Sequence, residues 1–386
     1  PSVVADVNKN TIDKNYQFKT IEYIDVASVE ERKLIQTTTL KIDEAPSRAK
    51  RIVKDNSILI STVRPNLKHY CFIKKANPNL IASTGFAVIN SKINLSDASF
   101  IYYLLTTDEY TEYLVKIADN QTSTYPAFNP SIIYNSKFLL PPLSEQVGIA
   151  GVLSAFDDKI ELLREQNKTL EAIAQAIFKE WFVDFNFPDA NGNPYKKSGG
   201  NMIDSELGPI PEGWRVGKYS DIVELTTGKG IHQSNLNING LYPVKGANGN
   251  IGKTNEYLFD EELILTGRVG TLGTVYISRG KVWISDNVLI SKPKRPDFLY
   301  FAYLHLKRIN FDSLNRGSTQ PLITQTDLNN VSIVIPQSNI FTKWSNLSNS
   351  LYDKYYINNS QIQTLSSLRD ALLPKLMRGE VRVSEL

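Results

Sequence analysis

Ser123-Thr124-Tyr125-Pro126 returns as Ser318-Thr319-Gln320-Pro321, 195 residues later. The same offset carries Asn135 onto Asn330, Pro141 onto Pro336, Asp158-Lys159 onto Asp353-Lys354, Gln166 onto Gln361 and Leu170 onto Leu365. No gap is needed from Ser123 to about Trp181. Each copy runs from a Ser-Thr-x-Pro loop, through an apolar strand ending at proline, into a long helical stretch. A repeat of this size marks a duplicated domain, not a solenoid. It suggests a molecule that grips a two-part, roughly symmetric target.

The expected fold class is α/β (α+β), with two globular domains separated by two long helices. Residues 1–142 form the first domain, with strand-like runs at 57–63, 70–73 and 86–89, a helix-like stretch at 99–117, and an apolar run at 138–140. A central helix occupies 143–184, its pattern covering about 145 to 183, with Ser144 as N-cap and Glu145 in the first turn. Ile149, Leu153, Phe156, Ile160, Leu163, Asn167, Leu170, Ala174, Ile177 and Trp181 make a heptad seam with one polar member. Residues 185–213 read as a linker, rich in turn chemistry. The second domain, 214–337, is strand-rich and dense in glycine.

The second helix and a tail fill 338–386, starting at Asn339. Its seam, Trp344, Ser348, Leu351, Tyr355, Asn358, Ile362, Leu365, Arg369 and Leu372, is less apolar, and Pro374 is expected to break or kink it. Two copies of one helix suggest antiparallel packing, with the domains at opposite ends of a rod. At 1.5 Å per residue such a helix is ~57 Å long. At ~3.4 Å per base pair it matches about one and a half turns of B-DNA. Aligned this way, Asn167 meets Asn358, and a buried Asn pair fixes register at some cost in stability. The plainer alternative has both asparagines facing solvent.

The composition allows this reading without demanding it. With 386 residues, 41% hydrophobic and 22% charged, the chain suits two or three soluble domains. No apolar run is long enough for a membrane span, and the single cysteine, Cys71, fits a reducing cytoplasm, the expected setting. One cysteine, Cys71, and three scattered histidines argue against a disulfide or a metal centre. A net charge of +3 permits nucleic-acid binding.

The ordered set of motifs carries a resemblance. Leu140-Pro141-Pro142-Leu143-Ser144-Glu145-Gln146, Asp157-Asp158-Lys159-Ile160-Glu161 and Ile177-Phe178-Lys179-Glu180-Trp181-Phe182 resemble the central conserved region of specificity (S) subunits of type I restriction-modification systems. The segment from Asp353-Lys354 to Leu372-Leu373-Pro374-Lys375-Leu376-Met377-Arg378-Gly379-Glu380-Val381 resembles that family's C-terminal conserved region. Gly208-Pro209-Ile210-Pro211-Glu212-Gly213-Trp214 resembles the entry into a target-recognition domain, and the first domain lacks a clear counterpart. The resemblance implies that each globular domain reads half of a split target in double-stranded DNA. It implies that the helices form an antiparallel coiled coil, set the spacer and dock methyltransferase (M) subunits, usually two. S-adenosylmethionine would sit on the M subunits, so no cofactor is expected in this chain. A further restriction (R) subunit cleaves DNA in such systems.

Base readout needs Arg for guanine and Asn or Gln for adenine, while phosphates take Lys, Arg, Ser and Thr. The candidate DNA-binding residues in the repeated loops are Gln121, Ser123, Thr124 and Tyr125, and Arg316, Ser318, Thr319 and Gln320. The plainer reading has Ser123, Thr124, Ser318 and Thr319 capping a turn. Arg64 and Arg268, each just after an apolar strand, form a second expected pair, joined by Lys68 and His69. Lys245, Asn248, Asn250 and Lys253 lie in a Gly/Asn loop whose plainer reading is a hairpin turn. Thr226-Thr227-Gly228-Lys229-Gly230 lacks P-loop spacing. Phe178, Trp181 and Phe182 are the candidate partner-docking patch.

No catalytic residue and no metal ligand is assigned. Neither Asn129-Pro130-Ser131 nor Asn193-Pro194-Tyr195 matches the Asn/Asp-Pro-Pro-Tyr/Phe motif of adenine methyltransferases. Competing readings are a DNA-binding specificity module serving another enzyme type, and a coiled-coil scaffold that binds no DNA.

Overall fold

The computed structural model describes residues 3–13, 16–121, 125–270, 272–317 and 320–383. The chain divides into two compact units: residues 1–163 with 360–386, and residues 164–359. Each unit combines one strand-rich domain with a half of each long helix.

In the first unit, the strand Ser57–Ser61 is buried along its whole length, as expected for a central strand covered on both faces. It lies in an all-antiparallel sheet ordered Ala5–Val7, Phe86–Ser91, Ser57–Ser61, Tyr70–Ile73. A second sheet runs Thr38–Lys41, Thr20–Ile24, Leu80–Ser83, Ala49–Ile52, and its central pair is parallel. The second unit repeats this plan. Its antiparallel sheet is Val223–Thr227, Val288–Pro293, Leu263–Gly267, Val275–Ser278, and Leu263–Gly267 is again fully buried. Its other sheet is Gly249–Thr254, Tyr242–Gly246, Lys281–Ile284, Phe259–Asp260, again with a parallel central pair. The duplication therefore includes sheets whose sequences no longer match.

Some strand pairs are not duplicated. Arg215–Lys218 pairs with Ser332–Ile335 in the second unit. The apolar run at 138–140, its counterpart by offset, is not a strand. The helix-like stretch at 99–117 is two helices, Ala98–Leu105 and Asp108–Gln121. The Thr106 and Thr107 hydroxyls donate back to the carbonyls of Tyr102 and Leu104, which favours a break there.

The long helices are Leu143–Phe182 and Ser338–Met377. Both start one residue before the expected cap, and Pro142 and Gln337 offer the first carbonyls. Every expected seam residue is buried or half-buried. Within the first unit the two run antiparallel, and Ile149 and Leu153 share a core with Leu373 and Leu376. The second helix does not break at Pro374 but continues to Met377. The buried neighbours Leu373 and Leu376 hold that last turn against the core. Proline costs one amide donor there, but the Pro374 carbonyl still accepts from Arg378.

Within the second unit the helices are again antiparallel, and the expected asparagine contact is present. The Asn358 Nδ2 donates to Asn167 Oδ1 at 2.9 Å, and Asn167 Nδ2 donates to Asn359 Oδ1 at 2.9 Å. Both Asn167 and Asn358 are buried. The segment 185–213 is folded rather than a free linker: Phe187 and Ile210 enter the core, and Tyr195 stacks on Phe187 at 4.6 Å.

His305, in the helix Leu299–Leu306, stacks on Tyr219 and Phe301. Burial, helped by Arg308, pushes its imidazole down to about 4. The unfolded chain therefore binds the extra proton first as pH falls. Stability contributed by neutral His305 is complete above about 6.5 and drains away down to about 4. The loss is at most about 3 kcal/mol, because the ring keeps some solvent contact. Denaturation at pH 7 and pH 4.5 should show a smaller pH-dependent loss for His305→Gln than for the native chain. Equal losses would contradict this assignment.

Candidate nucleic-acid interface

In the second unit, strand ends and loops converge on one rim. The Arg268 N–H donates to Asn287 O, and Ile323 N–H donates to Arg268 O, both at 3.0 Å. The Gly270 N–H donates to Pro321 O at 3.0 Å, and Val269 bridges Leu322. The Ser285 N–H donates to Lys245 O and the Lys229 N–H to Ile284 O, each at 2.9 Å. Five segments around Lys229, Lys245, Arg268, Asn287 and Gln320 are thus tied together through main chain, leaving side chains to vary.

Glycine is required at one of these crossings. A Cβ on Gly228 would lie 2.1 Å from Ile284 O and 2.3 Å from Ser285 O. Beside it, Trp283 Nε1 donates to Lys229 O. Lys245 lies over the Tyr276 ring at 5.9 Å, and burial holds its ammonium below the usual lysine range. The Tyr276 hydroxyl donates to Gly246 O. The Thr274 hydroxyl, just before the strand Val275–Ser278, donates at 3.3 Å to Asn248 Oδ1 in the turn of the hairpin at Ala247-Asn248.

The first unit has the same main-chain lattice. The Phe128 N–H donates to Thr62 O at 3.0 Å, Arg64 N–H to Pro126 O at 2.7 Å, and Thr62 N–H to Gly85 O at 2.8 Å. Val63 bridges Ala127. These bonds align Thr62 with Arg268 and Arg64 with Gly270. The two strand-end arginines are therefore not equivalents, and their recurrence is a coincidence of position. The alignment gives Arg64 a separate significance. Arg64 is left-handed at φ 48°, and Gly270 has φ 75°. The second unit puts glycine where the backbone asks for it; the first keeps a side chain at roughly 1–2 kcal/mol of strain. That guanidinium is exposed and lies 5.2 Å from the centre of the Tyr125 ring. Gln320, the offset partner of Tyr125, sits over the matching spot, its Nε2 3.8 Å from a Cβ built on Gly270.

Residues 4–172 and 211–366 match the family described as type I restriction modification DNA specificity domain. The chain belongs to that family. The specificity subunit of the type I restriction enzyme MjaIX from Methanocaldococcus jannaschii is 31% identical, over 87% of this chain and 80% of its own. The HindI specificity subunit from Haemophilus influenzae is 24% identical and matches 98% of each chain. A solved type I restriction-modification S subunit from M. genitalium shares the fold, with a TM-score of 0.57 at 16% identity over 97% of this chain and 94% of that one.

Several expected site residues of this specificity-family chain need correction. Lys68 is clamped by Asp108 at 2.7 Å and Glu31 at 3.7 Å, and its hydrogen bond to Asp108 raises its ammonium above the usual range. It is a poor phosphate contact. His69 contacts Val26 O through Nδ1 at 2.9 Å. Arg316 bonds Asp327 through Nε and Nη2, and Asp327 also caps the helix Gln325–Asn329, so Arg316 braces the loop. Asn250 is exposed opposite Lys245, whereas Lys253 lies at the far end of the hairpin, opposite Pro243. Ser123, Thr124, Ser318 and Thr319 lie outside the described residues, as does the side chain of Gln121.

The aromatic docking patch is overturned. Phe178 and Phe182 are buried, 4.9 to 5.7 Å from Phe301 and Trp344 between ring centres. Trp181 is half-buried beside Trp344. These rings fasten the helix to its own strand-rich domain, contributing roughly 1.5–3 kcal/mol per buried side chain. Counting seam positions alone missed this second buried face. The turns at 83–85 and 285–287 were also missed. For the turn at 285–287 a sequence signal lies in the Gly-Lys-Gly at 228–230, whose Gly228 makes room for the carbonyls of Ile284 and Ser285.

Cys71 is buried, and burial pushes its thiol up to about 12. Among the described residues no three His, Cys, Asp or Glu side chains form a metal-ligand group, and no helix is long and apolar enough to cross a membrane.

Proposed function

We propose that this chain is the DNA sequence-recognition subunit of a type I restriction-modification complex, each unit reading one half of a bipartite target. The observation that carries the reading is the pair of rims, built on one main-chain lattice and furnished with different side chains. Arg64 and Tyr125 furnish the first; Arg268, Asn248, Asn287 and Gln320 furnish the second. A shared scaffold suits a shared mode of docking in the major groove, and divergent side chains suit different half-sites.

The long helices, each shared by both units, set the length of the unread spacer. They also dock the methyltransferase subunits, two of them on this reading. With Phe178 and Phe182 committed to the core, the docking candidates become the exposed Val147, Leu162, Ile173, Ile357 and Leu368. The chain is non-catalytic: S-adenosylmethionine is bound by the methyltransferase partner, and cleavage belongs to a restriction subunit.

Arg268 supplies the most direct test. Its Nε is buried without a partner among the described residues, while the side chain as a whole is half-exposed. Arg268→Ala should lower affinity for specific DNA by about 10- to 100-fold and relax one position of one half-site. Binding should be measured against salt, with the complex checked for intact methyltransferase association. Loss of that association instead of DNA discrimination would contradict the assignment.

A further inference from the structure

We propose that Asp286 is a specificity-determining residue of the second unit that selects a cytosine, its carboxylate accepting a hydrogen bond from the base's N4 amino group. This deepens the reading of the rim as a DNA-contacting surface and rests on it.

Three observations converge on Asp286. Its turn is rigid: Ser285 N–H is held by Lys245 O, Asn287 O holds Arg268 N–H, and the Val288 N–H donates to Ser285 O at 3.2 Å. The side chain stands out from that turn and is exposed. One oxygen accepts from the Ser285 hydroxyl at 3.2 Å, and Oδ2 lies 3.6 Å from where a Cβ on Gly230 would sit. The carboxylate is therefore held against the Gly228-Lys229-Gly230 loop with one oxygen left to accept.

Charge decides what that oxygen is for. Lys229, Lys245 and Arg268 lie on the segments bonded to this turn, yet Asp286 makes no ion pair among the described residues. A carboxylate on a DNA-facing rim repels phosphates, so it weakens non-specific binding. Its use is as a pure acceptor, and cytosine is the base that offers a lone N4 donor in the major groove. The aligned turn of the first unit carries Thr84-Gly85 in place of Asp286-Asn287, so the two units would differ at this position.

The test is the adenine-methylation motif of the complex, mapped for native chain, Asp286→Asn, Asp286→Ala and Arg268→Ala. Asp286→Asn is isosteric and sits on an exposed turn. It should shift one position of one half-site from cytosine towards adenine, and Asp286→Ala should relax that position by about tenfold or more. An unchanged motif with a uniform rise in DNA affinity would overturn the proposal, leaving Asp286 as a charge beside the phosphates. If Arg268→Ala alters a half-site and the Asp286 variants do not, only the cytosine inference fails. If none of the variants alters a half-site, the rim itself is not the reading surface.

Discussion

Gly228→Val should abolish discrimination at one half of the target and spare the other. The valine Cβ has no place to go: two backbone carbonyl oxygens, of Ile284 and Ser285, stand 2.1 and 2.3 Å from it. Backbone cannot rotate aside as a side chain can, so the loop 226–230 must lift off. That lift breaks the Lys229-to-Ile284 bond, displaces Lys229 and removes the surface against which Asp286 rests. The fully buried strand Leu263–Gly267 and its partner Val288–Pro293 are outside this loop and should keep the domain folded. With several bases read at about tenfold each, methylation of the native site should fall by ~100-fold or more. Gly230→Ala is the matched control, since its Cβ meets only the Asp286 carboxylate at an ordinary 3.6 Å. Methylation mapping and circular dichroism together check the prediction. A native motif in the Gly228→Val complex would contradict the assigned loop position.

Asp157→Ala has the largest expected effect on stability. Asp157, on the first long helix, accepts from the Tyr103 hydroxyl at 2.6 Å and from Arg369 Nη1 at 2.5 Å. It thereby ties the first strand-rich domain and both helices together within one unit. Arg369 has a side chain only 9% exposed and keeps just the partly exposed Asp370 if Asp157 is removed. Breaking such a pair from one side costs about 3 kcal/mol. Replacing both partners, as Asp157→Asn with Arg369→Met, should cost less than Asp157→Ala alone, because no charge is stranded. Denaturant midpoints of the native chain, Asp157→Ala and the double variant decide this; a double variant at least as destabilised as Asp157→Ala would show that no buried charge is stranded.

The second unit has no such ion pair at the offset positions. Tyr352 stands where Asp157 stands and stacks on Tyr300 at 4.1 Å, while Glu171 receives Tyr303 and Lys307. Offset arithmetic predicts where equivalent helix positions lie. It does not predict that one copy uses charge and the other uses aromatic stacking.

The same distinction governs what could be read from sequence. The long helices and their seams were legible because a heptad pattern follows directly from helix geometry. The Asn167–Asn358 contact followed from seam position once antiparallel packing was assumed. The sheets were legible only as separate apolar runs, since pairing order depends on long-range contacts that no local pattern encodes. The rim suffered most. Arg64 and Arg268 look alike as strand-end arginines, but the hydrogen-bond lattice separates them by two residues. Lys68 and Arg316 look free until their carboxylate partners, distant in sequence, are seen beside them. Phe178 and Phe182 looked surplus to one seam because two rings that bury them, Phe301 and Trp344, lie more than a hundred residues further along the chain.

On this reading each unit recognises its own half of a split DNA target. Co-expressing this chain with a candidate methyltransferase subunit and mapping adenine methylation over a random-sequence DNA library tests this. The expected result is a two-part motif with an unread gap and two unlike halves. A single continuous motif, or methylation without sequence preference in an intact complex, would contradict it.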